Sequence, residues 1–384
     1  MRRTELPDQG LVFWPVGAGD STTVLVNRDI MIQVDLNHLE AAKSDDDPRW
    51  PVVDELVECL PLVNRKRYLA AFVATHADKD HCQGFKELLE DHNVLIGELW
   101  FTPRLIADID NEDPKGLSED ARALRDEALR RVKRNAHREA AAGSGDRLQV
   151  IGYHDSLQGD FKALPASVVS PAGTTVQVVD GRDLGRLLQI FVHSPFKDYM
   201  EDSERNRTSI GLHVTLKSGG LRALLLGDLD YGPVKQVFEY TQHRSDKEWD
   251  VFLAPHHCSK GVMYERESGR DVLRRDVLGL IEDAKASTGW IVSSSGPIPA
   301  SDSLGDNPPH AKAKMRYEEI CDTFLCTGEH PNERNSQPLI FQSSAAGARF
   351  LGAAPVTGSA ALAQVRGARG GDKPSSKPVG YGKC

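Results

Sequence analysis

Runs of apolar residues alternate with short polar segments along the first hundred residues of the chain. Residues 11–16, 21–26 and 30–35 predict three paired strands, because the segments between them are rich in turn-forming residues. Apolar positions at helical spacing then predict a helix over residues 54–62, and a purely apolar run predicts a buried strand at 69–74. A helix over 84–92 and a strand over 94–101 complete this half.

The second half of the chain follows the same order of elements. Strands are predicted at residues 166–171, 210–216, 221–226, 251–253 and 289–293, and helices at 232–241 and 270–286. A polar loop is expected between residues 171 and 204. Two halves that each place strands before helices predict an α/β fold, with two sheets packed face to face and covered outside by helices.

A charged helix is predicted within an insertion at about residues 112–145. Apolar residues between Leu117 and Ala136 form one helical stripe. Basic residues occupy the rest of the helix: Arg122, Arg125, Arg130, Arg131, Lys133, Arg134 and Arg138. Two interpretations are open, namely a solvated helix whose arginines pair with its own acidic residues, or a surface that guides a phosphate backbone.

The last segment, residues 346–384, is rich in Gly, Ala, Ser and Lys and is predicted to be a flexible tail. The folded domain is therefore expected to span residues 1–345. Either the tail or the helical insertion could serve as a docking surface for a protein partner. The oligomeric state is left open.

Composition narrows the class of protein. The 384 residues are 40% hydrophobic and 27% charged, which is typical of a soluble globular chain. No apolar run approaches the ~20 residues of a membrane span, and the N-terminus lacks a signal-peptide core. Six scattered cysteines do not form a disulfide framework, so a reducing cytoplasm is expected. The net charge of −9 argues against a surface coated with nucleic-acid-binding charge, yet allows a local basic groove.

The richest cluster of candidate ligands follows the apolar strand at 69–74. His76, Asp78, Asp80 and His81 fall within six residues. A buried strand that ends in a loop dense with imidazoles and carboxylates is typical of a divalent metal site. An ordinary polar loop would not need this combination.

Two further strand ends carry candidate ligands. Asp228 follows the apolar run 224–226 behind a glycine, and His256 and His257 follow the strand at 251–253. Adjacent histidines point to opposite sides of an extended backbone, so one is expected to bind metal and the other to face substrate. His257 is favoured as the ligand.

Several blocks occur in the order found in one known family. They are 16–21, 34–35, 75–84, 206–209 with 226–228, 256–259 and, more weakly, 307–310. In these blocks the chain resembles metallo-β-lactamase-fold hydrolases, and it is most similar to the hydrolase domain of ComEC-type DNA-uptake proteins and their soluble relatives. The resemblance implies a four-layer αββα sandwich that carries the charged helical insertion.

The same resemblance implies a ligand set and its supporting residues. The implied metal ligands are His76, Asp78, Asp80, His81, Asp228 and His257. Asp78 stands where a histidine is commoner, which shifts the preference from zinc towards manganese or magnesium. A further histidine found in many relatives has no clear match: His193 and His213 are available, but the matching segment offers Asn206.

Other positions are assigned supporting roles by the resemblance. Asp20, Asp35 and Asn206 are expected to orient the ligands from behind, with turn capping as the alternative for the two aspartates. Ser259, Lys260 and His310 are expected to bind a phosphate group of the substrate. One or two zinc or manganese ions, or magnesium, are expected as the cofactor.

These features favour a metal-dependent phosphodiesterase or nuclease that acts on DNA, RNA or a nucleotide through a metal-activated water. Asp80, His256 and His257 are the candidate catalytic residues. Two alternatives stay open: a hydrolase of a lactone or thioester, and a metal-bound interaction module without catalysis.

Overall fold

The computed structural model describes residues 5–112, 117–136, 142–200, 202, 204–303 and 305–352. Residues 5–352 therefore contain all the elements below, and most of the predicted tail lies outside the described residues. Within the described part of the chain, no helix is both long and apolar enough to cross a bilayer.

The first sheet has ten strands, most of them from the first half of the chain. These strands are β1 (Gly10–Phe13), β2 (Thr22–Asn27), β3 (Ile30–Val34), β5 (Leu62–Val63), β6 (Lys66–Val73), β7 (Leu95–Phe101), β8 (Arg147–Ile151), β9 (Val169–Ser170), β21 (Leu339–Ser344) and β22 (Gly347–Phe350). Their order is β22-β21-β1-β2-β3-β6-β7-β8-β9, with β5 paired to β6. A short strand, β4 (Leu36–Asn37), bridges to Cys82 and Gln83.

The second sheet has seven strands. They are, in order across the sheet, β10 (Thr175–Val176), β13 (Leu188–Ser194), β14 (Gly211–Leu216), β15 (Leu221–Leu225), β16 (Trp249–Leu253), β19 (Lys285–Ser293) and β20 (Thr323–Cys326). Two hairpins stand apart from the sheets, β11 (Val178–Val179) with β12 (Arg182–Asp183), and β17 (Tyr264–Glu267) with β18 (Arg270–Leu273).

Besides short 3₁₀ and π-helical turns, eight helical segments accompany the sheets in the described residues. They are α1 (Val52–Cys59), α2 (Lys79–Cys82), α3 (Pro103–Asn111), α4 (Glu119–Asn135), α5 (Tyr231–Tyr240), α6 (Pro255–Cys258), α7 (Arg275–Asp283) and α8 (Ala311–Ile320). The segment predicted as a helix over 84–92 contains only a π-helical turn at Glu87–Asp91.

Three apolar clusters separate four layers. One cluster lies between the sheets and joins inward-facing residues such as Phe13 and Val73 to Ile190 and Leu225. A second packs α1, α3 and α4 on the outer face of the first sheet, and a third packs α5, α7 and α8 on the outer face of the second. The predicted four-layer αββα sandwich is thereby confirmed.

Some local predictions are wrong. The polar loop expected before residue 204 contains the strand β13, whose alternate residues Ile190 and Val192 point into the core between the sheets. The helix expected over 270–286 begins as the hairpin strand β18, and only Arg275–Asp283 is helical. The strand β22 lies beyond the predicted domain end at 345 and pairs with β21, because a hairpin at 344–347 returns the chain to the sheet.

The predicted charged helix corresponds to α4, with residues 113–116 and 137–141 of the insertion outside the described residues. Arg131, counted from the sequence among the charged positions, is instead buried. It pairs with Glu127 at 2.7 Å and donates to the carbonyls of Ile96 and Arg147. Its neighbours Arg125 and Arg130 pair with Asp110, Glu127 and Asp146. Much of the positive charge of α4 is therefore neutralised by ion pairs within the protein.

Candidate metal centre

The predicted ligands come together where strands of both sheets end. Parallel strands β3 and β6 deliver Asp35 and the segment 76–81 to one edge, and parallel strands β15 and β16 deliver Asp228 and His257 to the facing edge. Asp20 precedes β2, which runs antiparallel to β3 and therefore starts at the same edge.

Four buried residues, Asp20, His81, Asp228 and His257, offer ligand atoms within 4.8 Å of one another. Nε2 of His81 lies 3.3 Å from Oδ1 of Asp228 and 3.2 Å from Nε2 of His257. Nε2 of His257 also lies 3.4 Å from Oδ2 of Asp80. Two imidazole nitrogens and two carboxylates thus surround one position.

A second set of atoms meets at the other oxygen of Asp228. Nε2 of His76 and Nε2 of His256 each lie 3.7 Å from Oδ2 of Asp228. His76 is also 3.8 Å from Oδ2 of Asp78. Asp228 therefore faces two groups of ligands, which is the arrangement that a bridging carboxylate requires.

Asp20 and Asp35 contact the rear of the ligand rings. Asp35 accepts from Nδ1 of His81 at 2.7 Å and from the backbone N–H and hydroxyl of Thr75. Oδ1 of Asp20 is 3.4 Å from Nδ1 of His257, the nitrogen turned away from Asp228. We therefore assign Asp20 to orienting His257, although its carboxylate is near enough to the cluster to be counted with it.

The backbone at the two histidines is strained. His256, His257 and Cys258 all have left-handed φ angles of 51°, 53° and 66°. Such conformations cost non-glycine residues about 1–3 kcal/mol each and cluster at functional sites. The His256 N–H donates to the Gly227 carbonyl, which anchors this turn beside Asp228. The strain and the anchor turn both imidazoles towards one carboxylate.

The buried carboxylates and imidazoles of the cluster shift one another's pKa values. Burial would raise the pKa of Asp228, but the charges of His257 and His81 hold it well below its usual range. Burial would lower the pKa of His81 and His257, yet Asp228 raises both, aided by Asp35 for His81 and by Asp20 for His257. Protons on the imidazoles thus neutralise the carboxylates, and a divalent cation would displace those protons.

The donor set fits a divalent cation. Oδ1 of Asp228 and Nε2 of His76 are buried, and no hydrogen bond from the described residues satisfies them. Unpaired buried polar atoms are costly, so their convergence indicates an ion. Carboxylates and imidazoles suit zinc or manganese, and the donors do not distinguish these metals.

The other predicted site residues make contacts with neighbouring residues of the protein. Ser259 accepts from the Gly261 N–H, and Lys260 pairs with Asp271 at 3.3 Å. His310 accepts from the Lys260 N–H and contacts the Asp306 carbonyl. The Asn206 carbonyl accepts from the Ser209 N–H. Phosphate binding by the first three, and ligand orientation by Asn206, stay predictions.

Neither histidine considered for the unmatched ligand lies at the centre. His193 contacts Thr241, and His213 contacts the Glu248 carbonyl. In their place, His256 approaches Asp228 from the turn after β16. The pair of adjacent histidines was visible in the sequence, but the alternation of an extended strand predicted that the two rings point in opposite directions. The left-handed turn at His256 and His257 instead brings both rings to the same side.

Sequence reasoning missed Arg205. This residue lies in a 3₁₀ turn, Arg205–Thr208, and its Nη1 lies 2.9 Å from Oδ1 of Asp78 and 2.8 Å from Oε1 of Glu112. Arg207 of the same turn pairs with Asp230 at 2.9 Å. The only sequence signal was their place beside the Asn206 block.

Comparisons with known proteins yield structural neighbours only. No protein-family model and no curated protein sequence matches the chain. Among solved structures, it is similar to the metallo-β-lactamase fold protein YhfI from Bacillus subtilis, with 9% identity and a TM-score of 0.42 over 86% of this chain and 99% of that one.

Two further neighbours are hydrolases by name. Igni18, a metallo hydrolase from Ignicoccus hospitalis, is 11% identical with a TM-score of 0.41, covering 86% of this chain and 99% of that one. The short form of human tRNase Z is 15% identical with a TM-score of 0.33, covering 73% and 90%. At sequence identities and TM-scores this low, no residue role or substrate of these proteins is assigned to the present chain.

Proposed function

We propose that the chain is a metal-dependent phosphodiesterase that acts on a nucleic acid or a nucleotide. The proposal rests on one observation: a buried carboxylate and imidazole cluster is flanked by two arginines from a single turn. Arg205 pairs with Asp78, which lies 3.8 Å from His76, and Arg207 pairs with Asp230, two positions after Asp228.

Guanidinium groups recognise phosphate oxygens through paired N–H donors. Both arginines are only partly buried, with about 37–38% of each side chain exposed, so a substrate could reach them. A lactone or thioester carries no anionic group at the reacting centre that would call for such donors. The pair therefore supports a phosphoryl substrate over the neutral alternatives.

The residues present would divide the work as follows. His81, His257, Asp80 and Asp228 would hold one ion, and His76, Asp78, His256 and Asp228 could hold another. Bound there, a divalent ion supplies an activated water and offsets phosphoryl charge. Asp80, with 40% of its side chain exposed, is placed to orient that water.

His256 is the more accessible member of the histidine pair, with 29% of its side chain exposed against 4% for His257. It is therefore the better placed of the two to give a proton to the leaving oxygen in a one-ion centre. His257, held by Asp20 and the Ser294 carbonyl, is committed to the ligand position.

The test is hydrolysis by purified protein loaded with manganese or zinc. Labelled single-stranded DNA, RNA and bis(4-nitrophenyl) phosphate would be assayed beside nitrocefin and an acyl-lactone. We expect phosphodiester cleavage that falls at least a thousandfold in Asp80→Ala, whose metal content would be measured in parallel. Cleavage of the lactone alone, or no turnover of any substrate by metal-loaded protein, would overturn the proposal.

A further inference from the structure

The two oxygens of Asp228 face two positions at which an ion could bind, and these positions differ in width. At the first position, Oδ1 of Asp228 and Nε2 of His81 and His257 lie 3.2–3.5 Å from one another. At the second position, Nε2 of His76 and Nε2 of His256 each lie 3.7 Å from Oδ2 of Asp228. The second set of donors is therefore the looser one.

A fixed positive charge reaches the second position and not the first. Nη1 of Arg205 lies 2.9 Å from Oδ1 of Asp78, and the other oxygen of Asp78 lies 3.8 Å from Nε2 of His76. The same Nη1 lies 2.8 Å from Oε1 of Glu112. At the first position, the ion pairs formed by the described residues involve histidine alone and no lysine or arginine. A guanidinium keeps its proton in proteins, so the charge beside Asp78 is permanent.

The turn that carries Arg205 is anchored on both sides of the centre. Directly after this turn, the Ser209 hydroxyl accepts from the Asp228 N–H at 3.4 Å. The next residue, Ile210, donates its N–H to the Thr75 carbonyl at 3.0 Å, at the strand end that leads into the ligand loop. These two bonds fix the place of Arg205 relative to both sheets.

We propose that Arg205 takes the place of a second ion: its guanidinium neutralises Asp78, so that the centre binds one divalent ion tightly, at the first position. An ion at the second position would share Asp78 with a cation and would be repelled by it. The proposal rests on the proposed function, because both require an ion at the first position.

The same guanidinium would supply the positive charge that a second ion brings to phosphodiester hydrolysis. With 38% of its side chain exposed, Arg205 can be reached by a phosphoryl oxygen. N–H donors that are held in place stabilise the charge that develops on such an oxygen. Because no second ion would hold His256, this ring would stay free to give a proton to the leaving oxygen.

The test is the number of manganese ions that the full chain binds, measured without substrate. Chelator-treated protein would be titrated by calorimetry, and we expect one tight equivalent and a second that binds roughly tenfold more weakly or less. Arg205→Gln removes the charge and should tighten the second equivalent roughly tenfold, whereas Arg205→Lys keeps the charge and should not. Arg207→Gln is the matched control from the same turn. Because Arg207 pairs with Asp230, this variant should bind manganese as the wild type does.

Asp78→Asn tests the same point without a change at Arg205. Since Asp78 is not a ligand of the tightly bound ion, this variant should keep the tight equivalent with unchanged affinity. Circular dichroism would establish that each variant is folded.

Two equivalents of equal affinity in the wild type, or an unchanged second equivalent in Arg205→Gln, would overturn the proposal. Loss of a tight equivalent in folded Asp78→Asn would also overturn it. Because ions are counted in the absence of substrate, binding of one tight ion without phosphodiester cleavage would count against the proposed function alone.

Discussion

Asp35 shows how a single buried carboxylate orients a candidate metal ligand. It accepts from Nδ1 of His81 and from two donors of Thr75, so its oxygens fix both the ring and the strand exit. Its own backbone is left-handed, with φ of 53°, a conformation that Asn also tolerates. Asp35→Asn therefore changes the charge and the hydrogen bonding of the side chain without adding backbone strain.

Asp35→Asn should weaken metal binding ten- to a hundredfold, because an amide cannot accept from all three donors and loses the charge that supports His81. The dissociation constant for zinc or manganese, measured against a competing chelator, checks this. Asp29→Asn, in the exposed turn between β2 and β3, should leave the affinity unchanged. Equal affinities for the two variants would contradict the role given to Asp35.

Glu98 provides a residue-scale prediction away from the centre. Burial raises the pKa of Glu98 to about 7, although the Asp180 N–H and the Trp100 indole donate to its carboxylate. The folded chain therefore binds a proton that the unfolded chain releases near pH 4.5. Stability tied to this proton is present below that pH and is lost as the pH rises through about 7.

At about 1.4 kcal/mol per pKa unit, the loss amounts to about 3 kcal/mol between pH 4.5 and 8. The side chain introduced by Glu98→Gln does not titrate. The free energy of unfolding of this variant should therefore rise, relative to that of the wild type, by about 3 kcal/mol between pH 4.5 and 8. Urea unfolding at pH 5 and pH 8 measures the difference. Glu90→Gln, at an exposed position, should follow the wild type, and a parallel response in both variants would refute the assignment.

At the scale of elements, the segment between β1 and β2 positions the centre through its backbone. Gly19 has φ of +129°, and its carbonyl accepts from the Ser294 hydroxyl of the second sheet at 2.7 Å. The next residue, Asp20, donates its N–H to the Asp80 carbonyl at 3.2 Å. A Cβ at Gly19 would lie 2.6 Å from that carbonyl oxygen.

Gly19→Ala should therefore displace both Asp20 and the Asp80 loop, with a cost of about 1–3 kcal/mol in stability and a marked loss of bound metal. Gly220→Ala is the matched control. Its φ is +87°, but open space surrounds the added Cβ, so it should cost stability without loss of metal. Thermal unfolding with elemental analysis separates the two effects, and retained metal in Gly19→Ala would contradict this role for the segment.

At the scale of the whole molecule, the ligands link the two sheets. Among the candidate ligands, Asp80 and His81 follow β6 of the first sheet, and Asp228 and His257 follow β15 and β16 of the second. An ion held by both should oppose their separation. Since an ion at a hundred times its dissociation constant adds about 2.7 kcal/mol, loading should raise the melting temperature by several degrees.

Differential scanning fluorimetry with zinc or manganese, and then with a chelator, tests this link. Asp228→Asn should show no shift on loading, because both groups of ligands lose their shared carboxylate. If metal does not change the melting temperature of the wild-type chain, then only the apolar cluster between the sheets holds them together.

The local sequence determined much of this protein. Apolar runs located β2, β3, β6 and β15, and His76 and Asp228 were singled out because each follows such a run, whereas Asp35 was assigned through the family resemblance. These are short-range patterns that one stretch of chain carries by itself. The four-layer order was predicted through the ordered blocks of the family resemblance.

Only the tertiary structure decided the rest, because those features depend on residues distant in sequence. Arg205 meets Asp78 across 127 positions, and Arg131 is buried because carbonyls of β7 and β8 accept its donors. The strand β13 was hidden by its polar flanks and is fixed by pairing with β14. Most importantly, the left-handed turn at His256 and His257 overrides the alternation that an extended strand would impose. The sequence thus named the candidate ligands, and packing decided which of their atoms face one another.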